Sequence, residues 1–181
     1  MGAIELVWLV MIVIFALAGV VRGYPKELGT TTSILVALLV LNQWGAEVFQ
    51  GLDASLAGLT GVSLTEGDRV NLIQAGFYLA LFIAMVFLSY HGETLAFRGD
   101  PPPGAAGVLI NSANGAINGY LIAGTVWYYL DQFEYPIQLF GLFSPPLSDL
   151  ATGLLPFLPV PLLEPYLLLF VAFLVLMRIF R

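Results

Sequence analysis

Residues 19–28, GVVRGYPKEL, separate an apolar run that begins at Ala3 from a second that begins at Gly29, and they carry two of the chain's six basic residues. The runs on either side decide the solvent. With 59% hydrophobic residues, 10% charged residues and a mean hydropathy of +0.92, the 181-residue chain has too little polar surface to cover a water-soluble globule. Crossing the hydrocarbon takes roughly 20 mostly apolar residues at ~1.5 Å each. Runs of that kind cover residues 3–21, 26–44, 70–90, 105–130 and 165–179. The expected fold class is therefore all-α: a polytopic helical bundle with about five transmembrane helices.

The two bases of the hinge then set a direction. Cytoplasmic connections accumulate Lys and Arg, so Arg22 and Lys26 put the first connection inside and the N terminus outside. Alternation of the spans places Arg98, Arg178 and Arg181 inside as well, and Arg69 alone outside. Arg22, Lys26, Arg178 and Arg181 are accordingly read as topology anchors or lipid-headgroup contacts. Most of the twelve acids fall on the outer side, and the net charge of −6 argues against nucleic acid, which needs a basic patch. Trp8, Trp44 and Trp127 lie near the outer boundary, where amphipathic rings favour the headgroup level. Glu5 stands where a signal peptide would carry a basic residue, so the first run is expected to be retained.

Local signals refine the picture. Pro25 suits a helix start, with Glu27 in the first turn near the positive end of the helix dipole. Residues 48–59 show helical spacing of Val48, Phe49, Leu52, Leu56 and Leu59, which predicts a short amphipathic helix on the outer surface, separate from the second span. Thr65 to Asp68 resembles a capping box before the third span. Prolines from 136 to 161 forbid a continuous helix in residues 132–164, yet that segment is too apolar for a solvated linker, and a short helix is expected near 147–154. The organisation expected is a core over 1–131, a Pro-rich outer loop over 132–164 and a fifth helix over 165–181.

The fourth span carries the unusual chemistry. At 100° per residue Asn111, Asn114, Gly115, Asn118 and Thr125 fall within one half of the helix, with Gly119 at its edge. An unpaired amide in hydrocarbon costs on the order of 4–8 kcal/mol, so these amides must find partners or water. Two readings follow. In the first, Gly115 and Gly119 allow close helix packing and the asparagines bond across the contact. In the second, the face lines a polar path or small-ligand pocket. On the packing reading Gly119→Leu should disrupt assembly and Asn118→Leu should matter less.

Catalysis finds little support. There is no cysteine, the single histidine, His91, has only Glu93 beside it, and neither a nucleophile with its base nor a phosphate loop is present. No catalytic residue, metal ligand or cofactor is assigned.

An acid leading an apolar helix, then Gly19, Arg22, Gly23, Tyr24 and Glu27, then the glycine-spaced NGAINGYLIAGTVWYYLD of residues 114–131 resemble the colicin V production (CvpA-like) family over roughly residues 3–131. Glu5 stands where that family usually has Asp. The Pro-rich loop and fifth helix are often missing from its members. The resemblance implies a multi-pass protein of the bacterial inner membrane connected with toxin production or export, with no established chemical activity. The function expected is a non-catalytic accessory, assembly or export-linked subunit with lipid and protein partners. The alternative is a channel or transporter component.

Overall fold

The computed structural model describes residues 4–67, 69–91, 97–136 and 145–180. The described chain is helical throughout its regular structure: α1 Ile4–Arg22, α2 Tyr24–Thr60, α3 Val70–His91, α4 Ala105–Gln132, α5 Asp149–Leu154, α6 Pro159–Leu163 and α7 Leu167–Ile179, with single 3₁₀ turns at Leu155–Phe157 and Glu164–Tyr166. Four segments are long and apolar enough to cross a membrane: α1, α2, α3 and the near-continuous helical run Asp149–Ile179. This is the make-up of a membrane protein. At 28 residues α4 is also long enough, but its glycines and amides hold its most apolar stretch below those of the other four in hydropathy.

Its position explains that composition. α4 is the central helix, in contact with α1, α2, α3 and α6, so it needs the least lipid-compatible surface. α1 runs antiparallel to it: Gly19 meets Gly115, Ile12 and Phe15 meet Gly119, and Trp8 reaches Gly124. α2 runs parallel to it at a constant offset of 87 residues, seen where Tyr24 meets Asn111 and Thr31 meets Asn118. α7 packs against α2, burying Leu167 and Leu174. One end of the bundle therefore gathers the close of α1, α3 and α7 with the start of α2 and α4, and with them Arg22, Lys26 and Arg178. It is called the basic end below.

Two expectations about local structure change. The surface helix expected over 48–59 is not separate, because α2 runs unbroken for 37 residues to Thr60 and stops at Gly61, whose φ of 72° is the left-handed conformation glycine adopts without strain. Helical glycine costs about 1 kcal/mol against alanine. Here the cost of Gly51 and Gly58 is offset by packing on α3: a Cβ at Gly45 would meet the Tyr78 ring, and Phe49 lies edge-on to Phe77 with centroids 5.2 Å apart. At ~1.5 Å per residue α2 is roughly 55 Å long, well beyond the ~30 Å hydrocarbon thickness. Asp53 then fastens the following loop, accepting hydrogen bonds from Leu64 N and from the Ser63 and Thr65 hydroxyls. Trp127, expected at the headgroup level, is instead buried and donates to the Tyr135 hydroxyl at 3.0 Å.

The helix expected near 147–154 is present as α5. Ser148 caps it by accepting from Ala151 N, and the same hydroxyl donates to Glu5 Oε1 at 2.8 Å. Asp68, Glu93 and Arg181 lie outside the described residues, and with them the fourth position of the capping box, the neighbour of His91 and the last of the basic anchors. The Pro-rich segment is described over 132–136 and 145–164.

Candidate functional site

The sequence of the α1–α2 junction dictates its geometry. Gly23 sits between the two helices with φ at 84°, a conformation that side-chain-bearing residues rarely adopt, so the chain reverses in one residue. Arg22 at the end of α1 is thereby brought back over the first turn of α2, where its Nη1 lies 2.7 Å from Glu27 Oε1 and 3.4 Å from Thr30 Oγ1. Its guanidinium also stacks on the Tyr90 ring of α3, 4.1 Å from the centroid. Desolvation strengthens such a cation–π contact.

Glu27 is fully buried, with 0% of its surface exposed, whereas Arg22 keeps 23% of its side chain exposed. Glu27 keeps the first-turn position expected of it and is in addition one half of a buried ion pair. Its second oxygen accepts from Asn118 Nδ2 at 2.6 Å and from the Tyr90 hydroxyl at 3.3 Å. Asn118 uses the rest of its capacity as well: Nδ2 also donates to the Glu27 carbonyl, and Oδ1 accepts from Thr31 Oγ1 at 2.7 Å. Four helices meet in this network. A buried charge is tolerated when it is paired and its remaining lone pairs are satisfied, and both conditions hold here.

The residues expected on the α4 face divide between two neighbours and a half-buried edge. Asn111 accepts from the backbone N–H of Tyr24 at 2.8 Å, taking up one of the donors that a helix start leaves without an intrahelical partner. Asn118 is buried on Glu27, and Thr125, two turns further on, is fully buried. Asn111 and Asn118 are thus both bonded to α2, and Thr125 continues their seven-residue spacing. Gly115 and Gly119 face α1 instead. A Cβ on Gly115 would lie 2.9 Å from Gly19 Cα, and one on Gly119 would lie 2.8 Å from Ile12 Cα. Asn114 is half-buried and returns its amide to Ile110 O.

Sequence reasoning missed Gly19, Glu27 and Tyr90 as members of this site. Gly19 was visible only as part of a family-like pattern, and its partner lies 96 positions away. His91 is exposed and lies over Phe87, with ring centroids 4.0 Å apart. Among the described residues no group of three His, Asp or Glu side chains comes together. Lys26, Arg98 and Arg178 all lie toward the basic end. The network ties α1, α2, α3 and α4 together at the basic end. No protein-family model, curated protein or solved structure matches the chain.

Proposed function

We propose that the chain is a non-catalytic subunit of a larger membrane complex, an accessory, assembly or export-linked component like the colicin V production family, in the bacterial inner membrane with its N terminus outside. The reading takes α4 as a fifth crossing beside the four more apolar segments. The observation that carries it is the state of the α4 face: Asn111 and Asn118 spend their hydrogen bonds on α2, and Gly115 and Gly119 on contact with α1. Amides engaged in this way do not solvate a permeant. The residues that carry the family-like pattern also have packing roles, Gly19 against Gly115 and Arg22 against Glu27.

The channel alternative differs in one measurable property, access of water to that face. The chain has no cysteine, so Thr125→Cys gives a single reporter in a position that is fully buried. In native membranes it should resist a charged, membrane-impermeant thiol reagent and react only after denaturation in SDS. Labelling in the native state would transfer the assignment to the polar path. The subunit role has its own check: purification in mild detergent should retain a stoichiometric partner, and a chain that purifies alone from its native membrane contradicts it.

A further inference from the structure

Residues 148–164 lead into α7, and their contacts place them at different heights along α4. Ser148 donates to Glu5 Oε1 at 2.8 Å, and Glu5 lies about one turn beyond Trp8, which meets Gly124 of α4. Phe157 is deeper: its carbonyl accepts from the Tyr120 hydroxyl at 2.6 Å, near the middle of the 28-residue α4. Pro159 then fills the notch at Gly124. Glu164 accepts from Asn42 Nδ2 at 3.4 Å, and the 87-residue offset of α2 and α4 puts Asn42 at the height of Tyr129. The chain therefore descends from the end opposite the basic end as far as Tyr120 and climbs back. Between Tyr129 and Tyr120 α4 covers roughly 13 Å, close to half of the ~30 Å hydrocarbon. α5 and the 3₁₀ turn after it supply roughly 15 Å, enough for the descent in one pass.

The composition suits such a path. Asp149 and Glu164 stand at its two mouths, and no residue between them is charged. Its large exposed side chains, Leu150, Phe157 and Leu162, are apolar. Hydrocarbon offers no partner to a free backbone group, and the turn leaves few of them. Pro156, Pro159 and Pro161 have no N–H to satisfy. Pro161 stands four residues after Phe157, where a helix would supply a donor to the Phe157 carbonyl, and the Tyr120 hydroxyl takes that place. Leu158 N donates to Leu155 O at 3.2 Å and Leu162 N to Leu158 O at 3.1 Å. We propose that residues 148–164 are a re-entrant hairpin: it enters the membrane from the end opposite the basic end, turns at Phe157 near the midplane and leaves by the same face. Of the apolar run Asp149–Ile179, α7 alone then crosses. The hairpin is a strap that ties together α1, α2 and α4 through Glu5, Asn42 and Gly124. The inference rests on α4 crossing the membrane, as proposed above.

The chain has no cysteine, so single spin labels report depth residue by residue. The whole protein, in vesicles of phosphatidylcholine and phosphatidylglycerol, is labelled through Leu150→Cys, Phe157→Cys, Leu162→Cys or Ile117→Cys, all at exposed positions. Depth is read from collisions with oxygen against those with a water-soluble nickel chelate. The label at 157 should lie roughly 10 Å deeper than those at 150 and 162, and close to the depth of the label at 117 on α4. A depth that changes steadily in one direction from 150 to 162 would make the run a single crossing and overturn the hairpin. So would three shallow labels beside a deep one at 117. A shallow label at 117 would take α4 itself out of the membrane, and the proposed fifth crossing would fall together with the hairpin. Sidedness gives a second reading: Asp149→Cys and Tyr166→Cys should react with a charged thiol reagent from the same face of sealed vesicles, and reaction from opposite faces would overturn the return of the chain.

Discussion

The two ends of the packed α1–α4 pair bury the same kinds of polar group and treat them in opposite ways. At the basic end Glu27, Asn118 and Thr31 are all buried, and their side-chain polar atoms are hydrogen-bonded. At the far end Glu5 Oε2, Trp8 Nε1 and Thr125 Oγ1 are buried with no hydrogen-bond partner among the described residues. A buried polar atom left unpaired costs about 1–3 kcal/mol. The basic end is therefore where polar groups specify the helix arrangement. At the far end, apolar and aromatic packing holds the structure despite them: Trp8 lies edge-on to Trp127 and Tyr120, each at 6.0 Å, and Pro159 of α6 sits in the notch left by Gly124.

The largest effect should come from the contact both ends share. Gly115→Leu forces a side chain into the backbone of α1 at Phe15 and Gly19, and backbone cannot rotate away as a side chain can. Overpacking of an ordinary core costs typically 1–3 kcal/mol, and this substitution should exceed that and separate α1 from α4. Gly76→Ala is the matched control, since a Cβ there meets nothing within 4 Å, and should be neutral or stabilising by up to ~1 kcal/mol. Unfolding in mixed detergent and SDS micelles, followed by helical circular dichroism, checks both. If Gly115→Leu unfolds like the control, the glycine crossing does not hold the bundle.

Next in size is Asn118→Leu. The sequence alone makes it the milder of the two α4 changes, because removing an amide together with its need for a partner can be nearly neutral. It stays the milder change here, but it is not near-neutral, since the amide serves a buried carboxylate that stays behind. The loss should be about 3 kcal/mol, in line with stranding one member of a buried charged network. Pairing it with Glu27→Gln tests the cause: a neutral residue at 27 needs less compensation, so the double variant should lose less than the sum of the two single losses. Additive losses would show that Asn118 and Glu27 act independently.

These cases also show what the sequence could convey. The 100° periodicity of α4 places Asn111, Gly115, Asn118, Gly119 and Thr125 together because helix geometry is local, and all five are buried. The same periodicity includes Asn114, which is only half-buried and bonds within its own helix, because nothing in one helix says where its neighbours sit around it. Glu27 reads as a first-turn acid for the same reason. Its burial is created by Arg22, which the turn at Gly23 returns to it, and by Tyr90 and Asn118, which lie 63 and 91 positions away. The long α2 is hidden by Gly51 and Gly58, residues that look like breaks until the packing of Gly45 and Phe49 on α3 is known.

The smallest expected effects give the sharpest comparison, because one substitution can be made at a buried threonine toward each end, Thr31 of α2 and Thr125 of α4. Thr31→Val at the basic end removes a hydroxyl that shares its one proton between Asn118 Oδ1 at 2.7 Å and the Glu27 carbonyl at 2.9 Å. Shape is nearly kept, but the amide oxygen of Asn118 is left without its donor. The loss should be about 1 kcal/mol, within the ~0.6–1.7 kcal/mol span measured for hydrogen bonds between membrane helices. Thr125→Val at the far end removes a fully buried hydroxyl that has no partner to lose. It should be neutral or should stabilise the bundle by up to ~1 kcal/mol, because only an unpaired polar atom disappears. The sign carries the comparison: the same chemical change weakens the bundle where the network is closed and spares it where the polar atom is orphaned. Equal losses at the two positions would mean that Thr125 makes a hydrogen bond in the membrane, and the contrast between the two ends would then fail.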